Sequence, residues 1–198
     1  MSKVKNIDGT PHFPVVSLFS GAMGLDIGLM QAGLNIAVSQ DYDKWCVETI
    51  KKNGHVGVLG DIRELINQDP SCDFLLKAGG LKKDSVFAVV GGPPCQSFST
   101  AGKRLGVEDE RGQLYNQFIH VVDQLRPRFF VMENVKGLAS TLVDPADKQS
   151  LPLLDHILEK FKALGYHTVH GVLDAVHYGT PQFRERLVII GSRDKEAI

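Results

Sequence analysis

The most constraining feature of this chain is a regular alternation of short apolar runs with longer stretches of helical periodicity. Val15–Phe19 has the pattern of a buried strand, ends in a glycine turn, and precedes an apolar helical face that reaches Gly33. Connections that contain a helix are long enough for right-handed crossovers between parallel strands. We therefore predict the α/β class, with an open, mostly parallel sheet and helices on both faces.

The same two periodicities predict the remaining elements. Further strands are expected at 34–39, directly before Gly60, and at 86–90, 129–132 and 187–190, and further helices at 44–53, 114–125 and 153–164. A hydrophobic content of 43% supports one substantial core. We therefore predict a single domain over residues 1–198.

Composition excludes several classes of protein. A formal net charge of -1 argues against a globally basic surface for polyanions, and the seven histidines lack the paired spacing of a metal site, so we expect no metal. Cys46, Cys72 and Cys95 form no C-x-x-C pair, which favours a reducing compartment. No apolar run approaches the roughly 18 to 20 residues of a membrane span, and the start lacks a signal-peptide core. We expect a cytoplasmic protein with no membrane partner.

A cysteine follows a stiff turn after the predicted strand at 86–90. The run from Pro93 to Phe98 places Cys95 directly after two glycines and two prolines. The fixed φ of the prolines reduces the conformational entropy that the turn loses on folding. One interpretation is a nucleophile, which requires a thiolate stabilised by a cation or a helix dipole. The alternative is an inert buried thiol, the usual state of a lone cysteine.

The turn after the first strand is a candidate cofactor site. Ligands of open parallel sheets bind beyond the carboxyl ends of the strands, where Phe19–Gly24 would lie with glycines that allow close backbone approach. Asp41 follows by about 20 residues, the spacing at which such sheets bind ribose hydroxyls. Tyr42 is a candidate for stacking on a purine, and Asp61 for accepting from an exocyclic amine. The alternative is that Asp41, Asp43 and Asp61 are helix N-caps.

Two further groups of charged residues end or begin predicted strands. Glu133 follows an apolar strand, where a carboxylate is either a general acid or a cap. Arg184 and Arg186 alternate towards one side before the last strand, so they either pair with Glu133 and a substrate oxygen or form a solvated strand edge. The glycine- and charge-rich stretch 99–112 is predicted to be a lid beside the thiol.

Taken in this order, the motifs resemble those of the DNA cytosine-5 methyltransferases. The resemblance rests on Phe19-Ser-Gly-Ala-Met-Gly24, Pro93-Pro-Cys-Gln-Ser-Phe-Ser99, Glu133-Asn-Val135 and Gln182-Phe-Arg-Glu-Arg186. It implies a Rossmann-like, S-adenosylmethionine-dependent methyltransferase that acts in DNA methylation of the restriction-modification type. Cys95 would add to carbon 6 of a cytosine flipped out of double-stranded DNA. Glu133 would contact the amine and the ring nitrogen, and the two arginines would hold the carbonyl of the base and orient Glu133.

The resemblance also assigns contacts residue by residue. The S-adenosylmethionine site would comprise Phe19, Gly21, Gly24, Asp41, Tyr42, Asp61, Ile62, Pro93 and Leu114, and the DNA-facing residues would be Gln96, Ser97 and Arg104. This sequence departs from the family pattern at Ser17, where an acidic residue is usual, and at Ser20, where alanine is usual.

A second departure concerns length. Members of this family continue past the position of Arg193 into a target-recognition region and a closing segment, so we expect an incomplete catalytic domain that works with a second subunit or a longer chain. Two alternatives stay open at this point. One is an RNA cytosine-5 methyltransferase acting on tRNA, and the other is an inactive remnant or subunit that binds the cofactor or a partner.

Overall fold

A computed structural model describes residues 13–94, 114–143 and 150–198 of the chain. The strands are β1 (Pro14–Leu18), β2 (Asn35–Asp41), β3 (Gly57–Leu59), β4 (Ala88–Gly91), β5 (Phe129–Val135), β6 (His167–Asp174) and β7 (Glu185–Ser192). The helices are α1 (Gly24–Gln31), α2 (Lys44–Lys52), α3 (Ile62–Gln68), α4 (Asp73–Gly79), α5 (Leu114–Leu125) and α6 (Leu153–Ala163). Short 3₁₀ helices lie at Lys83–Ser85, Lys136–Ser140, Ala175–Tyr178 and Lys195–Ala197.

The strands follow the order β3-β2-β1-β4-β5-β7-β6 in one sheet. β1 pairs in parallel with β2 and with β4, β2 pairs in parallel with β3, and β7 pairs antiparallel with β6. The predicted α/β class with a mostly parallel sheet is therefore confirmed. Because β1 lies between β2 and β4, the direction of winding reverses beside it, which is where open sheets of this kind bind ligands.

The chain divides into two compact units. The described residues of Met1–Gly91 with His120–Phe130 form the first unit, and those of Gly92–Ile119 with Val131–Ile198 form the second. In the first unit β1 is buried at every residue, so both of its faces are covered. In the second unit Phe118 on α5 and Phe161 on α6 are fully buried and meet edge to face, with ring centroids 6.4 Å apart.

Most of the predicted elements lie within two residues of their observed bounds, and the helix at 114–125 has the predicted bounds. The sequence analysis missed α3, α4 and β6. The helices α3 and α4 have only seven residues each, too short for a clear helical periodicity. β6 is exposed at six of its eight residues, so it lacks the alternation of a half-buried strand. No helix in the described part of the chain is long and apolar enough to cross a membrane.

Candidate active site

The turn between β1 and α1 has an uncommon backbone. Phe19 and Met23 lie in the left-handed region at φ 54° and 69°, where a side chain costs roughly 1–2 kcal/mol, and Gly21 between them has φ 54°. Hydrogen bonds hold this path: Ser20 N donates to Gln40 O over 3.1 Å and Met23 N to Ser20 O over 2.9 Å. Strained backbone of this kind clusters at ligand sites.

Asp41 ties this turn to the end of β2. One carboxylate oxygen accepts from Gly21 N and the other from Asp43 N, each over 2.8 Å, and the residue is only 6% exposed. Asp41 is therefore not a helix cap. Asp43 caps α2 by accepting from the backbone of Trp45 and Cys46. A carboxylate has about four acceptor positions, so Asp41 keeps capacity for a ligand hydroxyl.

Asp61 caps α3 and also binds a neighbouring cation. Its Oδ1 accepts from Arg63 N over 2.9 Å, and its Oδ2 lies 2.6 Å from Arg63 Nη2. The hydrogen bonds from the Arg63 side chain hold the pKa of this carboxyl below its ordinary value of 3.8. The next residue, Ile62, is buried, whereas Tyr42 at the end of β2 is 67% exposed. The phenol ring of Tyr42 is therefore open to a stacking partner.

A buried carboxylate beneath the turn was not predicted. Asp26 on α1 is fully buried and accepts from Ser17 Oγ over 2.6 Å and from Ser39 Oγ over 2.8 Å. Ser20 Oγ donates to Ser17 Oγ over 2.9 Å and extends the network to the turn. Burial raises the pKa of Asp26, and the serine hydrogen bonds oppose that rise. The serines inside otherwise apolar strands were the signal in the sequence.

A side chain at either of two adjacent glycines would collide with a neighbouring atom. In the first unit, a Cβ on Gly91 would lie 2.5 Å from the backbone oxygen of Leu18. In the second unit, a Cβ on Gly92 would lie 2.8 Å from Glu133 Oε2. The glycine pair before the diproline is therefore required by close packing, and the Glu133 carboxylate lies against the backbone three residues before Cys95 in the chain.

Glu133 is held by one of the two predicted arginines. Arg186 Nε lies 2.8 Å from Glu133 Oε1, and Arg186 Nη1 donates to the Glu185 carbonyl over 2.8 Å. A second ion pair joins Lys136 Nζ to Glu185 Oε1 over 2.8 Å. The carboxylate of Glu133 is therefore fixed in orientation while its side chain stays 32% exposed.

Asn134 supports the diproline. Its Nδ2 donates to Pro93 O over 3.0 Å, and its Oδ1 accepts from Val135 N over 2.9 Å. Asn134 is buried, so its two hydrogen bonds are shielded from solvent. The end of β5 thus carries the Glu133 carboxylate and, through Asn134, also fixes the backbone of the diproline.

Arg184 has a different environment from Arg186. Its backbone N donates to Asp174 Oδ1 over 2.8 Å and its carbonyl accepts from Ala175 N over 3.1 Å, so its main chain is fixed. Within the described residues its guanidinium has no ion-pair partner, and the side chain is exposed. Of the two arginines predicted to pair with Glu133 and a substrate oxygen, Arg186 is the one that binds Glu133 among these residues.

The comparisons with known proteins identify the family. Residues 13–198 match the family described as C-5 cytosine-specific DNA methylase. The chain belongs to this family. The resemblance inferred from the motifs is therefore confirmed, and the described cluster of Glu133, Asn134 and Arg186 lies within the matched range.

Curated relatives of this chain are Type II methyltransferases. M.NgoFVII of Neisseria gonorrhoeae is 37% identical over 196 residues, which cover 96% of this chain and 47% of the relative. M.AquIA of Picosynechococcus is 40% identical over 186 residues, which cover 90% of this chain and 71% of the relative. The chain spans about half the length of most of the curated relatives it matches.

Solved structures share the fold. A DNA modification methyltransferase encoded within an E. coli prophage aligns with a TM-score of 0.68 at 26% identity, over 91% of this chain and 46% of that one. DNMT2 of Spodoptera frugiperda aligns with a TM-score of 0.67 at 22% identity, over 92% and 50%. The second likeness shows the fold alone. Both agree with a Rossmann-like sheet.

The predicted site residues of the chain fall into three groups. The first unit holds Phe19, Gly21, Gly24, Asp41, Tyr42, Asp61 and Ile62, and the second unit holds Pro93, Leu114, Glu133, Arg184 and Arg186. Cys95, Gln96, Ser97, Arg104 and the predicted lid lie outside the described residues. The described ranges contain no group of three or more His, Cys, Asp or Glu residues that could hold a metal ion.

Proposed function

We propose that this chain carries the chemistry that transfers a methyl group from S-adenosylmethionine to carbon 5 of cytosine in DNA, through a covalent bond to Cys95. The observation that carries the proposal is the fixed carboxylate of Glu133. It is held by Arg186 at 2.8 Å and lies against Gly92, in the segment that leads to Cys95. Proton donation to nitrogen 3, which is conjugated with the attacked carbon 6, requires such an orientation.

Thiolate addition and proton transfer together make carbon 5 of cytosine reactive. The Cys95 sulfur forms a bond to carbon 6, the π electrons move to the bond between carbons 4 and 5, and nitrogen 3 takes a proton that the Glu133 carboxyl group has drawn from solvent. Carbon 5 then has enamine character and accepts the methyl group. Loss of the carbon 5 proton to solvent restores the 5,6 double bond and expels the thiolate, and nitrogen 3 returns its proton to Glu133. Covalent catalysis of this kind divides one difficult step into easier ones.

Arg186 and Asn134 are positioning residues in this proposal. Arg186 keeps one oxygen of Glu133 occupied, which leaves the other for the base. Asn134 holds the Pro93 carbonyl at 3.0 Å and so limits movement of the diproline before Cys95. Positioning of reacting groups accounts for a large part of enzymatic rate enhancement.

The first unit fits the cofactor. S-adenosylmethionine supplies an electrophilic methyl group on a sulfonium. A Cβ on Gly21 or Gly24 would meet no atom within 4 Å, so the backbone of this turn is open to a ligand. We assign the turn and Phe19 to the methionine part of the cofactor, Asp41 to the ribose, and Tyr42 with Asp61 and Ile62 to the adenine. Asp61 would accept a hydrogen bond from the adenine amine while it keeps its contact with Arg63.

We assign double-stranded DNA as the substrate, because the family is that of DNA methylases and the full-length relatives are Type II methyltransferases. The target base must leave the stack before a thiol can reach carbon 6, which costs a few kcal/mol. Most relatives are about twice as long. We therefore propose that residues outside these 198, in the same chain or in a second subunit, read the target sequence.

Mechanism-based trapping tests the proposed function. Mixed-sequence duplex DNA in which 5-fluorocytosine replaces cytosine is incubated with S-adenosylmethionine and the chain, supplied with the residues or the subunit that read the target sequence. Covalent adducts are resolved on a denaturing gel. The fluorine cannot leave as a cation, so the thiol stays bound to the base. We expect an adduct for the wild type and for the matched control Cys46→Ser, and none for Cys95→Ser.

Two results would contradict the proposed function. An adduct that persists in Cys95→Ser would remove the nucleophile from its assigned position. An adduct that forms at the same yield without S-adenosylmethionine and with cytosine in place of 5-fluorocytosine would show that the bond is unrelated to methyl transfer.

A further inference from the structure

The connection between β6 and β7 exposes two aromatic side chains. Phe183 is 85% exposed and Tyr178 is 69% exposed. Burying a phenylalanine side chain stabilises a protein or a complex by about 1.5–3 kcal/mol, so a ring this exposed is available to a partner. Neither the covalent chemistry nor the cofactor contacts proposed above use these two residues.

Hydrogen bonds hold the backbone of this connection in one conformation. Asp174 and Glu185 are opposite residues of the antiparallel pair, and Ala175 N donates to Arg184 O over 3.1 Å. Inside the connection, Thr180 N donates to Ala175 O and Gln182 N donates to Thr180 O. The rings are therefore displayed on a preorganised loop, which lowers the entropy lost when a partner binds.

The loop leads directly into the candidate active site of the second unit. Phe183 lies three residues before Arg186, which contacts Glu133 at 2.8 Å. Glu185, between them, is bound by Lys136 at the end of β5. A polymer that places a base against Glu133 would therefore have its neighbouring residues close to this loop.

The charges of the loop favour a polyanion over an apolar protein surface. Arg184 carries an exposed guanidinium without an ion-pair partner in the described part of the chain. Two nearby carboxylates are paired with cations, Glu185 with Lys136 and Glu133 with Arg186. Asp174 keeps its charge, and its Oδ1 accepts from the backbone N of Arg184. An unpaired cation beside exposed aromatic rings matches the chemistry of a nucleic acid strand, which offers phosphates and base faces.

We infer that Phe183 and Tyr178 stack on base faces that become exposed beside the target cytosine when it leaves the duplex, with Arg184 as the cation beside them. This inference rests on the proposed function for the identity of the substrate. The two rings act through stacking and contribute no base-specific hydrogen bond, so they bind any exposed base. They stabilise the opened strand.

Paired oligomers separate stacking from phosphate contacts. One probe is a fluorescein-labelled thymidine 15-mer, and the other is an abasic 15-mer with the same phosphates and no bases. We expect Phe183→Ala to weaken binding of the thymidine oligomer at least about five-fold and to leave binding of the abasic oligomer unchanged. Phe183→Tyr should restore the affinity for the thymidine oligomer. Tyr178→Ala, like Phe183→Ala, should weaken binding of the thymidine oligomer alone. Arg184→Gln should weaken binding of both oligomers.

Leu151→Ala is the matched control, because Leu151 is an exposed apolar residue of the same unit outside the loop. It should change neither affinity. The inference fails if Phe183→Ala leaves the thymidine affinity unchanged, which would point to a protein partner for the loop, if it weakens both complexes equally, or if the wild-type chain binds neither oligomer. The assay contains no methyl donor and no fluorinated base, so its outcome is independent of the trapping experiment.

Discussion

Two carboxylates of the first unit and two of the second have opposite environments. In the first unit Asp26 is fully buried and Asp41 is 6% exposed, and their oxygens accept from serine hydroxyls and backbone N–H groups. In the second unit Glu133 is 32% exposed and Glu185 is 48% exposed, and both are bound by basic side chains. Asp26 and Asp41 hold a backbone in place, whereas Glu133 and Glu185 remain open to solvent.

This difference fits the two tasks assigned to the units. A cofactor site needs a backbone of fixed shape, and a buried network of hydrogen bonds maintains the uncommon φ angles of Phe19 and Met23. A proton-transferring site needs a carboxylate that can reach its substrate. The comparison therefore predicts that substitutions in the first unit act mainly on stability, and those in the second unit mainly on the rate of reaction.

The largest expected effect is on the rate of adduct formation in the second unit. Glu133→Gln removes the proton that nitrogen 3 must receive, so we expect adduct formation with 5-fluorocytosine DNA to slow by roughly 10²- to 10⁴-fold. The midpoint of thermal unfolding should change little, because Glu133 is partly exposed. Arg186→Lys should give an intermediate rate, since lysine keeps the charge and loses the planar geometry.

Glu185→Gln is the matched control for Glu133. It breaks the ion pair with Lys136 and leaves the bond between Arg186 and Glu133 in place. We expect adduct formation to stay within a few-fold of the wild type. Equal rate losses for Glu133→Gln and Glu185→Gln would remove Glu133 from the chemistry.

The second prediction compares two neighbouring glycines that belong to different units. A Cβ on Gly91 would meet backbone at 2.5 Å, which cannot move without disturbing β1, so Gly91→Ala should destabilise the protein by about 1–3 kcal/mol or more in urea unfolding. A Cβ on Gly92 would meet the carboxylate of Glu133, which can turn away. Gly92→Ala should therefore cost less stability than Gly91→Ala and should slow adduct formation strongly.

This prediction is wrong if Gly91→Ala and Gly92→Ala unfold at the same urea concentration and form the adduct at the same rate. In that case the close contacts of the glycines would not distinguish structure from chemistry at this turn.

Local patterns in the sequence were sufficient for most of the fold. Buried strands such as β1 and long amphipathic helices such as α5 are determined by the spacing of apolar residues along the chain, which a sequence displays directly. β6 could not be found in this way. The residues of β6 are mostly exposed, so they show no alternation of buried and exposed positions. The strand conformation of β6 depends instead on its pairing with β7, and no pattern within β6 itself indicates that pairing.

Candidate site residues could be predicted where a sequence motif contains them. They were harder to predict where the role of a residue depends on a contact with another element. Glu133 and Arg186 were expected to pair, and they do. The N-cap alternative proved correct for Asp43 and Asp61, whereas Asp41 binds Gly21 N, twenty residues earlier. Such contacts join separate elements, so no pattern within one element reveals them.

The third prediction tests the buried carboxylate of the first unit. Burial raises the pKa of Asp26 above its ordinary value of 3.8, so the folded protein binds the proton more tightly than the unfolded chain. The stability that this provides is fully present below 3.8 and is lost as the pH rises through the folded-state pKa. Each tenfold difference in proton affinity corresponds to about 1.4 kcal/mol.

Asp26→Asn removes this titration and can still bond both serines. The stability of the variant relative to the wild type, measured by urea unfolding between pH 4 and pH 8, should therefore rise with pH. Asp84→Asn, at an exposed aspartate of the same unit, should show no such trend. A relative stability of Asp26→Asn that falls with pH would mean that Asp26 is stabilised as the anion. Asp26→Ala should cost about 1–3 kcal/mol, because it leaves buried hydroxyls unsatisfied.

The smallest expected effect concerns the ion pair between Lys136 and Glu185. Both side chains are about half exposed, and exposed ion pairs contribute about 0–1 kcal/mol to stability. Lys136→Met should therefore shift the urea midpoint little and should leave the response to added salt weaker than in the wild type. Asp61→Asn gives the corresponding change in the first unit, where the ion pair with Arg63 is broken but the cap is kept. If Lys136→Met were the more destabilising of the two, the charges of the second unit would be structural after all, and the division of roles between the units would have to be abandoned.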